Sequence, residues 1–490
     1  MKLRVKHLGL SSGGPLIVIV HSLDAKKSGL SALDRVRLKH NKNEAIAVVN
    51  ISYNTKQGYI GLFDEVIEKL NVKTNNDIEV HYENKPLSIG YIKDKLSGGV
   101  LNENQIKEII DDIVKNKLSE VEASYFIAGI YVHGLNEDEI LSMIKAMVSE
   151  GKPIRWNKKI VLDKHSTGGT AGNRTTMIIV PIIAAAGICI PKTSSRAITA
   201  PAGTADSMEV LANVSFSADK IKEIVNKTNG CMVWGGTLDL ASADDKLIKI
   251  EKTLGLDPEG SLLCSVLSKK KAVGATHVLI DVPYGEGAKI NNKKKAKRLK
   301  KQFIRIGKRL GLKMKVILTD GSEPIGNGIG SSLEARDVLK VLRCEEDMPQ
   351  DLKNKAVMMA GLMLEMVGKG DEKTAKEILE SGKAYSKMKE IIKAQGGNEK
   401  IKPSEIKLGK YSYVLTSKKT GVVKHIDNQL INQIARFSGA PGDKGAGVYL
   451  HVHRNDNVKI EDKLLTIYSE NSDKLGHSLK LLKNEVMAIV

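Results

Sequence analysis

Aromatic side chains are scarce, 4% of 490 residues, so stacking of nucleic-acid bases on exposed Phe, Tyr or Trp is not a theme of this chain. Cysteine is scarce too. Cys189, Cys231, Cys264 and Cys344 lie far apart, with no C-x-x-C pair and no histidine at ligand spacing. That argues against a zinc site or disulfide framework, and no metal is expected. There is no N-terminal signal-like segment and no apolar run of about eighteen residues or more. The expectation is a soluble, cytoplasmic protein with no membrane partner.

What the chain has in excess is positive charge, a formal +19 with 76 Lys and Arg against 57 Asp and Glu. A basic balance suits a phosphate backbone, but these lysines are spread over the whole chain, and a small phosphorylated substrate would profit from the same field. In the densest run, Lys293 to Lys301, the apolar residues Ala296, Leu299, Phe303, Ile306 and Leu310 fall at helical spacing, so its lysines are expected on a helix's wet face. No nucleic-acid partner is expected.

Length predicts about three domains, and the pattern gives an α/β multi-domain chain. Residues 1–84 alternate apolar and polar positions (Leu3, Val5; Ile17, Ile19; Val36, Leu38; Ala45, Ala47, Val49; Ile78, Val80) between Gly, Asn and Lys turns, which predicts a β-rich, barrel-like domain with a short helix over Phe63 to Leu70. Residues 85–157 read as a helical bundle: Ile106, Ile109, Ile110, Ile113 and Val114 form one stripe, and Ser119 with Glu122 and Asn136 with Glu139 have capping-box spacing. Residues 238–271 are expected to complete that bundle. An α/β phosphate-binding domain is expected over 158–237 and 272–395, and a C-terminal α+β domain over 408–490. The loop Gly439 to Gly447, with Gly442-Asp443-Lys444, reads as a turn.

The informative stretch runs from Asp163 to Glu209. It opens D-K-H-S-T-G-G-T-A-G-N-R, passes through the apolar run Met177 to Ile190, and reopens as P-K-T-S-S-R-A-I-T-A-P-A-G-T-A-D-S-M-E. Two loops rich in glycine, hydroxyls and cations flank one hydrophobic segment. In that composition backbone N–H groups, hydroxyls and a positive charge converge on an anion. Neither loop carries a P-loop or dinucleotide-fold glycine signature. The first is expected where Ile160-Val161-Leu162 ends, at the end of a strand in an α/β sheet, where ligands gather.

At these residues the chain resembles the thymidine and pyrimidine-nucleoside phosphorylase family, and S-S-R-A-I-T-A-P-A-G-T-A-D is nearer still to its AMP phosphorylase branch, which carries an extra N-terminal domain. The resemblance runs from about Pro86 to the C-terminus, and before Pro86 it is to that branch alone. It implies a double-psi type of barrel in the N-terminal domain, a cleft between the helical unit and the sheet, a homodimer through the bundle or a higher homo-oligomer, and no organic cofactor, inorganic phosphate being a co-substrate.

It also implies site residues. Lys164, Ser166, Ser194 and Thr204 match the family's phosphate-binding positions, with Gly168, Gly169 and Ser195 donating backbone N–H groups. His165 matches a histidine associated with proton transfer. Asp257, in G-L-D-P-E-G, matches the aspartate that AMP phosphorylases use as proton donor; a carboxylic acid raised by burial can protonate a departing purine, and Glu259 could substitute. Ser265 and Lys269 match residues that touch the base.

The family's pyrimidine-reading arginine would fall near Ile250 to Lys252, where the chain has Ile-Glu-Lys, so AMP is favoured over pyrimidine substrates. Lys289, in Y-G-E-G-A-K, and the loop Arg196-Ala197-Ile198-Thr199-Ala200 are expected to grip a nucleotide's 5′-phosphate. The expected reaction is phosphorolysis of AMP, and of other nucleoside 5′-monophosphates, to free base and ribose 1,5-bisphosphate. Alternatives are a pyrimidine-nucleoside phosphorylase and an anthranilate-type phosphoribosyltransferase holding Mg²⁺ on an acidic pair. Asp244-Asp245 is such a pair, expected instead on a solvated helix face.

Overall fold

A computed structural model describes residues 1–197, 200–238, 242–483 and 486–490. The chain divides into two compact units: residues 1–151 with 241–268, and residues 152–240 with 269–490.

In the first unit the strands Lys2–His7, Ile17–His21, Arg35–His40, Asn43–Ser52, Tyr59–Leu62 and Asp77–Glu83 close into one barrel, in the order first, fifth, second, fourth, third, sixth. Closure leaves no unpaired edge. The first pairs in parallel with the fifth (Arg4 opposite Tyr59) and the second with the fourth (Ile17 opposite Val48). The alternating residues Leu3, Val5, Val36 and Leu38 point inward and are buried, but on the second strand it is Val18 and Val20 that are buried while Ile17 and Ile19, one position out of step, are half-buried; the short helix appears over Asp64–Leu70.

Helices follow at Ser88–Leu96, Glu103–Val114, Glu120–His133 and Glu137–Ser149. Capping boxes on Asn102, Ser119 and Asn136 satisfy their first N–H groups. The last two were expected from the sequence; the box of Asn102 with Gln105 was not. A buried ion pair, Lys95 Nζ to Glu139 Oε1 at 2.7 Å, ties two of these helices together. Ser242–Leu254 belongs to this unit, as does most of Glu259–Ala272. One expectation fails on the first of these: Asp244 is not on a solvated face but buried, accepting a 3.1 Å hydrogen bond from Ser265 Oγ, while Asp245 is exposed. The helix turns Asp244 inward alongside Ala243 and Leu247, which are also buried.

In the second unit the parallel strands Leu162–Ser166, His277–Tyr284 and Lys313–Asp320 form a sheet with His277–Tyr284 central, and Ile190–Ser194 pairs in parallel with Gly230–Trp234. A parallel bridge, Val161 to Cys189, joins the two pieces. The segment Thr175–Ala185 is a helix buried all round, as an uninterrupted apolar run requires. Its side chains share one core with the helices Ser331–Leu342, Gln350–Glu365 and Lys383–Ala394. Helix Lys293–Arg309 buries Ala296, Leu299, Phe303 and Ile306, its lysines on the wet side. A separate core gathers Val423, Ile431, Ile434, Val448, Leu465 and Ile467 in the C-terminal α+β portion. All four cysteines are free thiols. No described helix is long and apolar enough to cross a membrane.

Candidate active site

Both loops of the Asp163–Glu209 stretch line one cavity of about 290 Å³ in the second unit. The first motif begins on the strand rather than in the loop. Leu162–Ser166 carries Asp163, Lys164, His165 and Ser166, and its alignment with His277–Tyr284 sets Ser166 opposite Asp281. Ser166 Oγ donates to Asp281 Oδ2 at 3.2 Å. The chain then turns through Gly168 and Gly169. At Gly169 φ is +94°, and a Cβ there would stand 2.3 Å from the backbone N of Lys289. Only glycine satisfies both demands, and this contact is what brings Lys289 to the cavity wall.

Lys164 is 1% exposed, and its Nζ donates to Thr175 Oγ1 at 3.0 Å and Thr176 Oγ1 at 3.2 Å. Both partners are neutral, so burial dominates and pushes its pKa down to about 8, with Asp281 opposing. Lys192, on the strand Ile190–Ser194, is pushed further, to about 7, by burial and by Lys270. Lys192 and Lys270 converge on the buried Asp163, at 3.8 and 2.5 Å. Burial and the four lysines 270, 192, 269 and 164 hold the His165 imidazole well below its ordinary pKa, hence neutral. Asp281 is held down by Lys355 and Lys164 against the effect of its burial, and Lys355 Nζ stands 3.3 Å from it.

On the second loop Ser194, Ser195, Ala197, Ala200 and Thr204 line the cavity, with Ile198 and Thr199 outside the described residues. Asp206 accepts from the N–H groups of Ala197 (2.7 Å) and Gly203 (2.8 Å), which fixes the loop against the start of helix Thr204–Glu209. Arg196 also lines the cavity, but its guanidinium pairs with Glu209 at 2.5 Å and Asp206 at 3.2 Å and lies over the Trp234 ring. Lys444, from the loop read as a turn, reaches the same Glu209 at 2.7 Å. Arg174 pairs with the buried Glu334, which also accepts from Ser207 Oγ.

Four buried polar atoms in this lining, Thr167 Oγ1, Thr170 Oγ1, Asn173 Nδ2 and Ser194 Oγ, have no partner among the described residues. Hydroxyl and amide donors without partners beside buried lysines that share too few carboxylates make a wall whose polar groups an anion would satisfy. The donor set fits inorganic phosphate.

Lys269 and Lys289 line this cavity together with Lys164, His165, Ser166, Gly168, Gly169 and Thr204. Asp257 and Ser265 stand in the other unit. Asp257 lies between the helices Ser242–Leu254 and Glu259–Ala272 and is exposed rather than buried as expected. Ser265 is held by Asp244.

Lys192, Lys270, Arg174 and Asp281 were not expected from the sequence. Of these, Lys270 left a signal, falling seven residues after Leu263 on the stripe of Val266 and Leu267.

Residues 158–385 match the glycosyl transferase family a/b domain, 89–151 its helical bundle domain, and 422–488 the pyrimidine nucleoside phosphorylase C-terminal domain. Over its full length the chain is 43% identical to the AMP phosphorylase of Thermofilum pendens, covering 95% of it. It is 44% identical to that of Thermococcus kodakarensis, over 99% of this chain and 96% of that one. A Legionella pneumophila protein provisionally named a thymidine phosphorylase is 42% identical, over 100% of this chain and 95% of that one. Among solved structures, anthranilate phosphoribosyltransferase of Thermus thermophilus superposes with a TM-score of 0.52 at 19% identity, covering 62% of this chain and 98% of that one, a likeness of fold alone. The chain belongs to the thymidine and pyrimidine-nucleoside phosphorylase family, in the branch of the AMP phosphorylases.

Proposed function

We propose that this protein catalyses phosphorolysis of AMP: a phosphate oxygen forms a bond to the anomeric carbon as the bond to adenine breaks, giving adenine and ribose 1,5-bisphosphate. The observation that carries the reading is the cavity in which, among the described residues, the Lys164 ammonium has only hydroxyl partners and four further polar atoms have none. Such a wall would hold the attacking phosphate in position and offset the charge that moves during the reaction. In this reading Lys164, Ser166, Ser194 and Thr204 hold the attacking phosphate, with N–H groups of Gly168, Gly169 and Ser195.

Lys289 takes the nucleotide's 5′-phosphate together with backbone of the 196–200 loop; the guanidinium of Arg196 shapes that loop through Glu209 and Asp206. Asp257 supplies the proton to the base, Ser265 and Lys269 contact it, and His165, held neutral, serves as a hydrogen-bonding group. The active assembly is a homo-oligomer in the cytoplasm. No organic cofactor takes part.

The test is chromatography of bases released from a panel of nucleotides and nucleosides, with and without phosphate. Phosphate-dependent adenine release from AMP, with ribose 1,5-bisphosphate as co-product, is expected. The naming of the Legionella relative favours a second reading, thymidine phosphorolysis, and faster release of thymine from thymidine would replace the first by it. If Lys289→Ala left the KM for AMP at its wild-type value, the assignment of the 5′-phosphate to Lys289 would fail.

A further inference from the structure

A second cavity, of about 450 Å³, lies in the second unit between helix Ser331–Leu342, the segment 402–408 and the strands Gly447–Leu450 and Lys463–Ser469. None of the residues assigned above lines it. Its wall combines three chemistries. Arg336 donates from Nε and Nη2 to the carbonyl of Ile406, and among the described residues no carboxylate contacts it. Lys402 stands exposed on the rim. The neighbouring Lys340 and Arg343, by contrast, are already paired with Asp347 and Glu345. Tyr449, His451 and Tyr468 supply rings, the first two edge to face at 5.1 Å. Asp337, 2% exposed, accepts from the N–H groups of Asn327 and Gly328 with Oδ2, both at 2.7 Å, and its Oδ1 has no partner among the described residues.

Cations without carboxylates call for an anionic group, aromatic walls for a planar ring, and an unpartnered carboxyl for a donor. The volume lies within the range of small-molecule sites, about 300–1,000 Å³. We infer that this cavity is a second nucleotide site, taking a nucleoside 5′-monophosphate with its phosphate toward Arg336 and Lys402, its base among Tyr449, His451 and Tyr468, and a base or ribose donor on Asp337. Burial brings the Asp337 carboxyl to about 7, so it both accepts and donates near neutrality.

The site shares a helix with the first cavity. Ser331–Leu342 presents Leu333, Arg336, Asp337 and Lys340 here and Glu334 to Arg174 there. Binding at the second site does not depend on the proposed reaction.

Equilibrium dialysis of the full-length protein with radiolabelled AMP, without phosphate, tests it. Two sites per chain are expected in the wild type. Lys402→Glu, on the exposed rim, and Tyr468→Ala should each weaken one of them by about tenfold or more and leave phosphorolysis at saturating AMP unchanged. In Lys289→Ala, which removes the first cavity's grip on the nucleotide, that same site should survive. A single site per chain in the wild type, or two sites indifferent to both Lys402→Glu and Tyr468→Ala, overturns the inference. Two sites indifferent to Lys289→Ala would instead count against the reading of the first cavity.

Discussion

The buried lysines concentrate the chemistry of the first cavity, and their cost has a pH signature. Lys192 has a folded value of about 7, below the ordinary 10.5. Below pH 7 the lysine is charged in both states and the fold bears the whole cost of burying it. Between 7 and 10.5 the unfolded chain binds the extra proton, so the penalty fades as pH rises. Lys192→Met should therefore be more stable than wild type by a few kcal/mol near pH 6, and the gap should close by about pH 10. Urea titrations at both pH values measure it, and a constant gap would show that Lys192 bears no such cost.

Lys164 titrates in the same way near 8. Because only its charged form attracts phosphate, the KM for phosphate should climb above pH 8 in wild type. Lys164→Ala should lower kcat/KM for phosphate about 100-fold or more and flatten that climb, as initial rates across pH 6 to 9.5 would show. Lys164 was legible in the sequence because its motif is contiguous. Lys192 was not, since a lysine between Pro191 and Thr193 announces nothing until the fold puts it beside Asp163.

At the scale of elements, hydrophobic period was a sound guide wherever one face meets water. The alternating strands of residues 1–84 and the stripe of Lys293–Arg309 follow it. It misled at helix Ser242–Leu254, where Asp244 shares the buried face because Ser265 gives it a partner. It was silent on Glu334, an acidic residue inside the apolar helix Ser331–Leu342 whose partners Arg174 and Ser207 come from distant segments. Burial pushes the Glu334 pKa up, while Arg174 and Ser207 oppose that shift. Removing its charge leaves the mostly covered Arg174, 12% exposed, without a carboxylate, a loss that typically costs up to about 3–5 kcal/mol. Glu334→Ala should lower stability by that order in urea unfolding and raise the KM for phosphate as Arg174 comes loose. An unchanged midpoint would mean that the pair contributes nothing net to the fold.

At the scale of the molecule, the C-terminal portion bears on the glycine loop through one residue that no motif marked. Asn428 opens the helix Asn428–Phe437, and its side chain accepts from Ala171 N at 2.8 Å and donates to the carbonyls of Gly169 at 2.5 Å and Gly287 at 3.3 Å. It thereby pins together the loop that carries Gly168 and Gly169 and the turn that carries Lys289. The partners lie 259 and 141 residues away in sequence, a distance over which a single chain offers no pattern to read.

A lone buried amide that meets three backbone groups of two segments acts on position more than on stability. Asn428→Ala should therefore cost only about 1–3 kcal/mol of stability, yet raise the KM for both phosphate and AMP about tenfold or more, since both walls of the cavity are released together. Asn428→Asp, which keeps the acceptor for Ala171 N but loses the donors, should fall between the two. If Asn428→Ala raised only the KM for AMP, the loop carrying Gly168 and Gly169 would be holding its shape without the C-terminal helix, and the coupling between these two parts of the chain would be absent.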